Sequence, residues 1–164
     1  MRNESMTTIG RASKDWLRDA NALRQPRRGS RRTSARYPHR SLTGEIIGAF
    51  LEVHRTFGYG FLESVYRRAL SVELAHRRIA VGQEVGYELV HRGVPIGFYR
   101  ADLVVESVVV VEVKAGLGPD PVAPVQLLNY LKVSRLPVGL LLYFGPRPGI
   151  KRLVATTGLV ENVR

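Results

Sequence analysis

Residues 96–115 read IGFYRADLVVESVVVVEVKA, and their pattern decides the fold. Two apolar runs, Ile96 to Val105 and Val108 to Ala115, are separated only by Glu106 and Ser107, and so short a connection joins antiparallel neighbours. VVVVEVK is apolar on both faces, the pattern of a central strand covered on each side. Glu112 and Lys114 interrupt this run where burying charge is costly. Being two apart on a strand, they point to one face. Asp102 lies on the preceding strand, two residues from Arg100. Register decides whether it joins them: pairing Val105 with Val109 sets Asp102 opposite Glu112, whereas a tight turn pairing Val105 with Val108 puts the carboxylates on opposite faces unless a bulge intervenes.

Upstream, Val85, Tyr87 and Leu89 alternate with Glu84, Glu88 and Val90 before HRGV, where Gly93 supplies the flexible turn position. Earlier still the period is helical. Leu42, Ile46, Ile47, Phe50, Val53 and Phe57 form one stripe with Thr43 or Ser41 as N-cap, and Gly58 and Gly60 stop it. A second helix is expected from Phe61 to before Ile79, with Leu62, Tyr66, Ala69, Leu70 and Leu74 apolar and Arg67, Arg68, Arg77 and Arg78 on its polar side. Downstream, glycine and proline crowd positions 116–124, and a helix follows from Pro121 or Pro124 to Ser134. VGLLLYFG then reads as a buried strand and IKRLVAT as an edge strand. The order ααβββαββ describes an α/β or α+β domain with a mixed sheet, and there is no internal repeat.

The length of 164 residues suits one domain. The net charge of +11 is unevenly spread: residues 1–40 carry +8 and residues 41–164 only +3. Residues 1–40 are expected to be a disordered basic segment, too polar to bury a core, with a short helix over Lys14 to Leu23. That segment reads as an arm for nucleic-acid phosphates, as a solvated tail, or as an organellar targeting peptide of similar composition. Residues 41–164 are the expected compact domain. Cysteine is absent, which excludes disulfides, a thiolate nucleophile and sulfur-ligated zinc. Val138 to Phe144 is the longest apolar stretch, far below the roughly 20 residues that span a bilayer. No apolar signal-peptide core follows the early arginines, so the expectation is a cytoplasmic protein with no membrane association. GYG lacks the lysine and spacing of a phosphate loop, and Ser64 and Ser107 have no adjacent histidine that would make a nucleophile.

Should Asp102, Glu112 and Lys114 converge, two hard carboxylates suit Mg²⁺ or Mn²⁺, which keep waters and accept phosphate oxygens as further ligands. A lysine alongside can orient water and stabilise charge developing at phosphorus, the requirements of metal-assisted phosphodiester hydrolysis. The bland alternative is a half-buried ion pair. His54 reads as a packing or hydrogen-bonding residue. Arg100 either contacts phosphate or pairs with Asp102.

These residues carry a family resemblance. VHRTFGYGFLESVY holds Gly60, Glu63 and Tyr66 in GxxExxY spacing. With YRADLVV, VVVVEVKA and QLLNYLK in order, the stretch from about 42 to 154 resembles the GxxExxY family of the PD-(D/E)XK nuclease superfamily. The resemblance implies a restriction-endonuclease-like fold with a mixed central sheet flanked by helices, and Asp102, Glu112 and Lys114 as the catalytic motif. It implies Glu63 as a contributor to the metal site, although a first-turn acid favoured by the helix dipole reads equally well. Gln126 and Tyr130, four apart on one helical face, are implied to position substrate or water. Where members often carry a histidine and an acid before this glutamine, the chain has Ala123 and Pro124. The expected function is Mg²⁺- or Mn²⁺-dependent hydrolysis of DNA or RNA. The alternatives are an inactive nuclease-fold module that binds nucleic acid or protein and a structural interaction domain.

Overall fold

The computed structural model describes residues 38–155, so the readings of residues 1–37, including the Lys14 to Leu23 helix, lie outside the described residues. The stripe of residues 42–57 folds into helix α1 (Arg40–Phe57), which buries Ile46, Ile47, Phe50 and Val53. Neither Ser41 nor Thr43 caps it. The N-cap is His39, in a left-handed conformation without a side-chain cap bond. Thr43 is buried in the first turn, where its hydroxyl donates to the Arg40 carbonyl at 3.1 Å.

Gly58 at φ 68° and Gly60 at φ 111° take the chain out of the helix through conformations that disfavour side chains. Helix α2 (Glu63–His76) begins two residues later than expected. Leu62 is therefore its extended N-cap rather than part of the apolar stripe, and is 74% exposed. Tyr66 secures the connection, since its hydroxyl donates to the Gly58 carbonyl at 3.0 Å and accepts from the Phe61 N–H at 3.3 Å. Its ring stacks on Phe144 at 4.0 Å between centroids.

The remaining elements are β1 (Val81–His91), β2 (Val94–Val105), β3 (Val109–Ala115), α3 (Ala123–Ser134), β4 (Val138–Phe144) and β5 (Gly149–Val154). The five strands form one sheet in the order β1-β2-β3-β4-β5, so β3 is central and β5 lies at an edge, as their sequences imply. β3 and β4 are parallel while every other pair is antiparallel, giving the mixed sheet expected. Arg92 and Gly93, both left-handed, make the two-residue turn between β1 and β2.

The turn between β2 and β3 resolves the register. Glu106 and Ser107 are both left-handed and the Val108 N–H closes the turn onto the Val105 carbonyl at 3.0 Å. Val105 nevertheless pairs with Val109, so Val108 is an extra residue between turn and ladder. The Glu106 carboxylate accepts the Ala80 N–H at 2.8 Å, and its own N–H donates to the Ala80 carbonyl, fixing the turn to the start of β1.

Helices α1 and α2 cover one face, where Phe50, Tyr66 and Leu70 pack on Leu103, Val111 and Leu140. Helix α3 covers the other, where Leu127, Tyr130 and Leu131 pack on Val104, Val110 and Leu141. A Cβ added at Gly139 would meet Leu127 Cγ at 2.9 Å, so α3 lies directly on β4 there. Gly139→Ala is expected to push α3 off the sheet and cost about 1–3 kcal/mol, read as a lower urea midpoint. Among the described residues no helix is long and apolar enough to cross a membrane.

Candidate active site

Glu112 and Lys114 share strand parity with Val110, whose side chain packs in the α3 layer, so both belong to that face of β3. The β2–β3 ladder runs from Val105↔Val109 to Leu103↔Val111 and ends there. Asp102 is the next residue of β2 beyond the ladder, and its charge acts on Glu112. Its Oδ2 accepts the Val113 N–H at 2.9 Å, so a carboxylate serves a donor that the β2 main chain would otherwise bond.

The ladder ends because two strands change face together. Val81 and Leu103 pack in the α1/α2 layer, whereas Val85 and Ala101, which keep the same strand parity, pack in the α3 layer. Between them lie Glu84, left-handed at φ 50°, and Asp102. A non-glycine residue in that conformation costs on the order of 1 kcal/mol, and such strain gathers at functional sites.

Among the described residues Glu112 is the most deeply buried charged group, its side chain only 4% exposed. Its Oε1 accepts from Lys114 Nζ at 2.9 Å, while Oε2 is buried with no hydrogen-bond partner. Burial first, and then the charge of Asp102, raise its pKa to about 7 against the opposing pull of Lys114. For Lys114, burial works to lower the pKa, but the hydrogen bond to and charge of Glu112, with Glu63 and Asp102 beyond, hold the ammonium above the usual lysine range. Burial thus works against ionisation of Glu112, while its carboxyl stabilises the charge on Lys114.

Glu63 occupies the first turn of α2, and its Oε1 accepts the Ala115 N–H at 3.3 Å. The helix brings it to the end of β3, and its charge reaches both Glu112 and Lys114. Tyr130 faces the site from α3: its hydroxyl donates to the Arg100 carbonyl at 2.7 Å and accepts from Gln126 Nε2 at 3.5 Å. Burial and then the charge of Glu112 push the phenol above its usual range. Arg100 contributes that carbonyl; its exposed guanidinium makes no ion pair with Asp102. His54 meets the Gly145 carbonyl with its Nε2 at 2.8 Å, the hydrogen-bonding role read for it.

The partner that Asp102 does have is Arg67, placed on the polar side of α2 by its sequence. Arg67 Nη1 lies 3.3 Å from Asp102 Oδ1 and Nη2 lies 3.3 Å from Glu84 Oε1. Its side chain is 21% exposed. Its spacing of four residues from Glu63 put both on one helical face, the one signal that could have drawn it to the site.

A five-stranded mixed sheet with two helices on one face and one on the other is a restriction-endonuclease-like fold. The family model for the PD-(D/E)XK nuclease superfamily matches residues 40–153, and the chain belongs to that superfamily. No curated protein matches it. Among solved structures, one described as the crystal structure of SSO0001 is similar at a TM-score of 0.46 and 19% identity, over 93% of this chain and 84% of that one.

Proposed function

We propose that this chain is a Mg²⁺- or Mn²⁺-dependent nuclease of the GxxExxY type that hydrolyses phosphodiester bonds of DNA or RNA. The observation that carries the reading is Glu112: a carboxylate buried beside Asp102, with one oxygen on the Lys114 ammonium and the other, Oε2, without a partner. An orphaned buried carboxylate oxygen next to a second carboxylate fits a hard divalent cation. Among the described residues no three histidines, cysteines or acids stand together as a metal cage. Two carboxylates suit Mg²⁺, which keeps several waters and takes substrate oxygens as the rest of its shell.

Asp102 and Glu112 would hold the ion, and Glu63, bonded to the Ala115 N–H at the end of β3, would add negative charge from farther off. When bound, such an ion lowers the pKa of water and neutralises phosphate charge. Lys114 holds a water against Glu112 and offers its charge to the oxygens that become negative as phosphorus is attacked. Gln126 and Tyr130 position substrate or water from α3, and the exposed Arg100 guanidinium meets a neighbouring phosphate.

The test is cleavage of single- and double-stranded DNA and RNA with Mg²⁺ or Mn²⁺. We expect cleavage by wild type that EDTA abolishes and that Asp102→Asn lowers at least 100-fold, in line with the loss of a principal charged group at such a site. Binding of nucleic acid without metal-dependent cleavage of any substrate would instead identify an inactive module.

A further inference from the structure

The ion pairs of Arg67 join three elements, α2, β1 and β2, at the point where the β2–β3 ladder ends. Asp102 Oδ2 accepts the Val113 N–H at 2.9 Å and Oδ1 accepts from Arg67 Nη1 at the longer 3.3 Å, so Oδ1 is the more weakly held oxygen, and a cation arriving there meets the guanidinium. At 3.3 Å the contact is long beside the usual 2.7–2.9 Å of a charge-assisted bond. Glu84 shares the same guanidinium at the same distance. Moving Arg67 off Asp102 would therefore strand no charge, because the guanidinium keeps Glu84 as its partner. The left-handed backbone of Glu84 is the local strain that accompanies this second seat.

We propose that Arg67 is the counter-ion of Asp102 that an incoming divalent metal must displace toward Glu84, so that Arg67 sets the metal affinity of the site. This rests on the reading of Asp102 and Glu112 as metal carboxylates. Arg67 is a positioning residue: it acts on the metal only through the Asp102 oxygen it occupies. A cation bound at Asp102 competes with Arg67 for Oδ1 and is repelled by it at close range. Removing the guanidinium removes both penalties. A purely structural Arg67 predicts the opposite sign, since losing a prop from Asp102 loosens the carboxylate and weakens metal binding.

Calorimetric titration of the full chain with Mn²⁺ alone, without nucleic acid, separates these outcomes. Arg67→Gln is expected to bind Mn²⁺ roughly tenfold more tightly than wild type, the scale of removing one nearby positive charge. Arg67→Lys, which keeps the charge, should stay within about twofold of wild type. Glu84→Gln leaves the guanidinium to Asp102 alone and should weaken Mn²⁺ binding roughly threefold; it keeps the test open if Arg67→Gln does not fold. The proposal is overturned if folded Arg67→Gln binds Mn²⁺ as wild type does or more weakly, or if Glu84→Gln binds it more tightly. If wild type binds Mn²⁺, Asp102→Asn abolishes that binding and Arg67→Gln leaves it unchanged, the role of Arg67 falls and the metal site stands. If no variant binds Mn²⁺, both fall together.

Discussion

Lys114→Ala is expected to slow metal-dependent phosphodiester cleavage by on the order of 10³-fold while leaving the fold intact. Two losses combine. The ammonium is the cationic group that meets Glu112 directly, so the variant lacks the charge that would stabilise developing negative oxygens, an effect usually worth about 10²–10³ in rate. Glu112 also loses the one partner that pulls its pKa down, and burial and Asp102 then push it higher unopposed. More of the carboxyl is protonated at neutral pH, so less of it is competent to hold a metal. The losses separate experimentally, because raising the pH or the Mn²⁺ concentration should restore metal occupancy in Lys114→Ala but not the rate at saturation. Single-turnover cleavage from pH 6 to 9 at saturating Mn²⁺ checks this. Wild-type rates from the variant would remove Lys114 from the chemistry.

That Asp102, Glu112 and Lys114 lie on β2 and β3 was legible in the sequence, because apolar strands are periodic and a charge inside one stands out. Whether Asp102 met Glu112 was not. Both connections open to it used Glu106 and Ser107, and the choice turned on a single extra residue, Val108, which is apolar in either register. The exchange of faces at Glu84 and Asp102 was likewise hidden, since nothing in the alternation of residues 81–90 marks Glu84 as left-handed. Arg67 shows a different limit. A long basic side chain on a helix reads as solvent-facing, yet its reach lets it turn inward to a carboxylate that only tertiary folding supplies. The helix start failed for a local reason: Ser41 and Thr43 are good caps, but Thr43 spends its hydroxyl on the Arg40 carbonyl inside the first turn. Glu63 is the first-turn acid its position in the sequence suggests, and its side chain also reaches the end of β3.

Glu112→Gln is expected to make the protein more stable at pH 8 than wild type, by up to about 3 kcal/mol, while removing its metal binding. The folded chain raises the Glu112 pKa from 4.5 to about 7, so it binds this proton more tightly than the unfolded chain does. The stabilisation that goes with the bound proton is fully present below about pH 4.5 and is lost as pH rises through about 7. A shift of that size corresponds to a net cost of about 3 kcal/mol for the ionised carboxylate, from burial and the charge of Asp102 after the opposing pull of Lys114. Glutamine has nearly the shape of the protonated acid and never ionises, so its stability should be flat where that of wild type falls. Urea unfolding of both proteins at pH 5 and pH 8 measures this: near-equal midpoints at pH 5 and a higher midpoint for Glu112→Gln at pH 8. Equal or lower stability of the variant at pH 8 would mean that Lys114 fully compensates the buried charge. Because a ligand that binds only the folded state adds to its stability, Mn²⁺ should raise the wild-type midpoint at pH 8 and leave Glu112→Gln where it was. The carboxylate that destabilises the metal-free protein would then be the one the site needs in order to hold its metal.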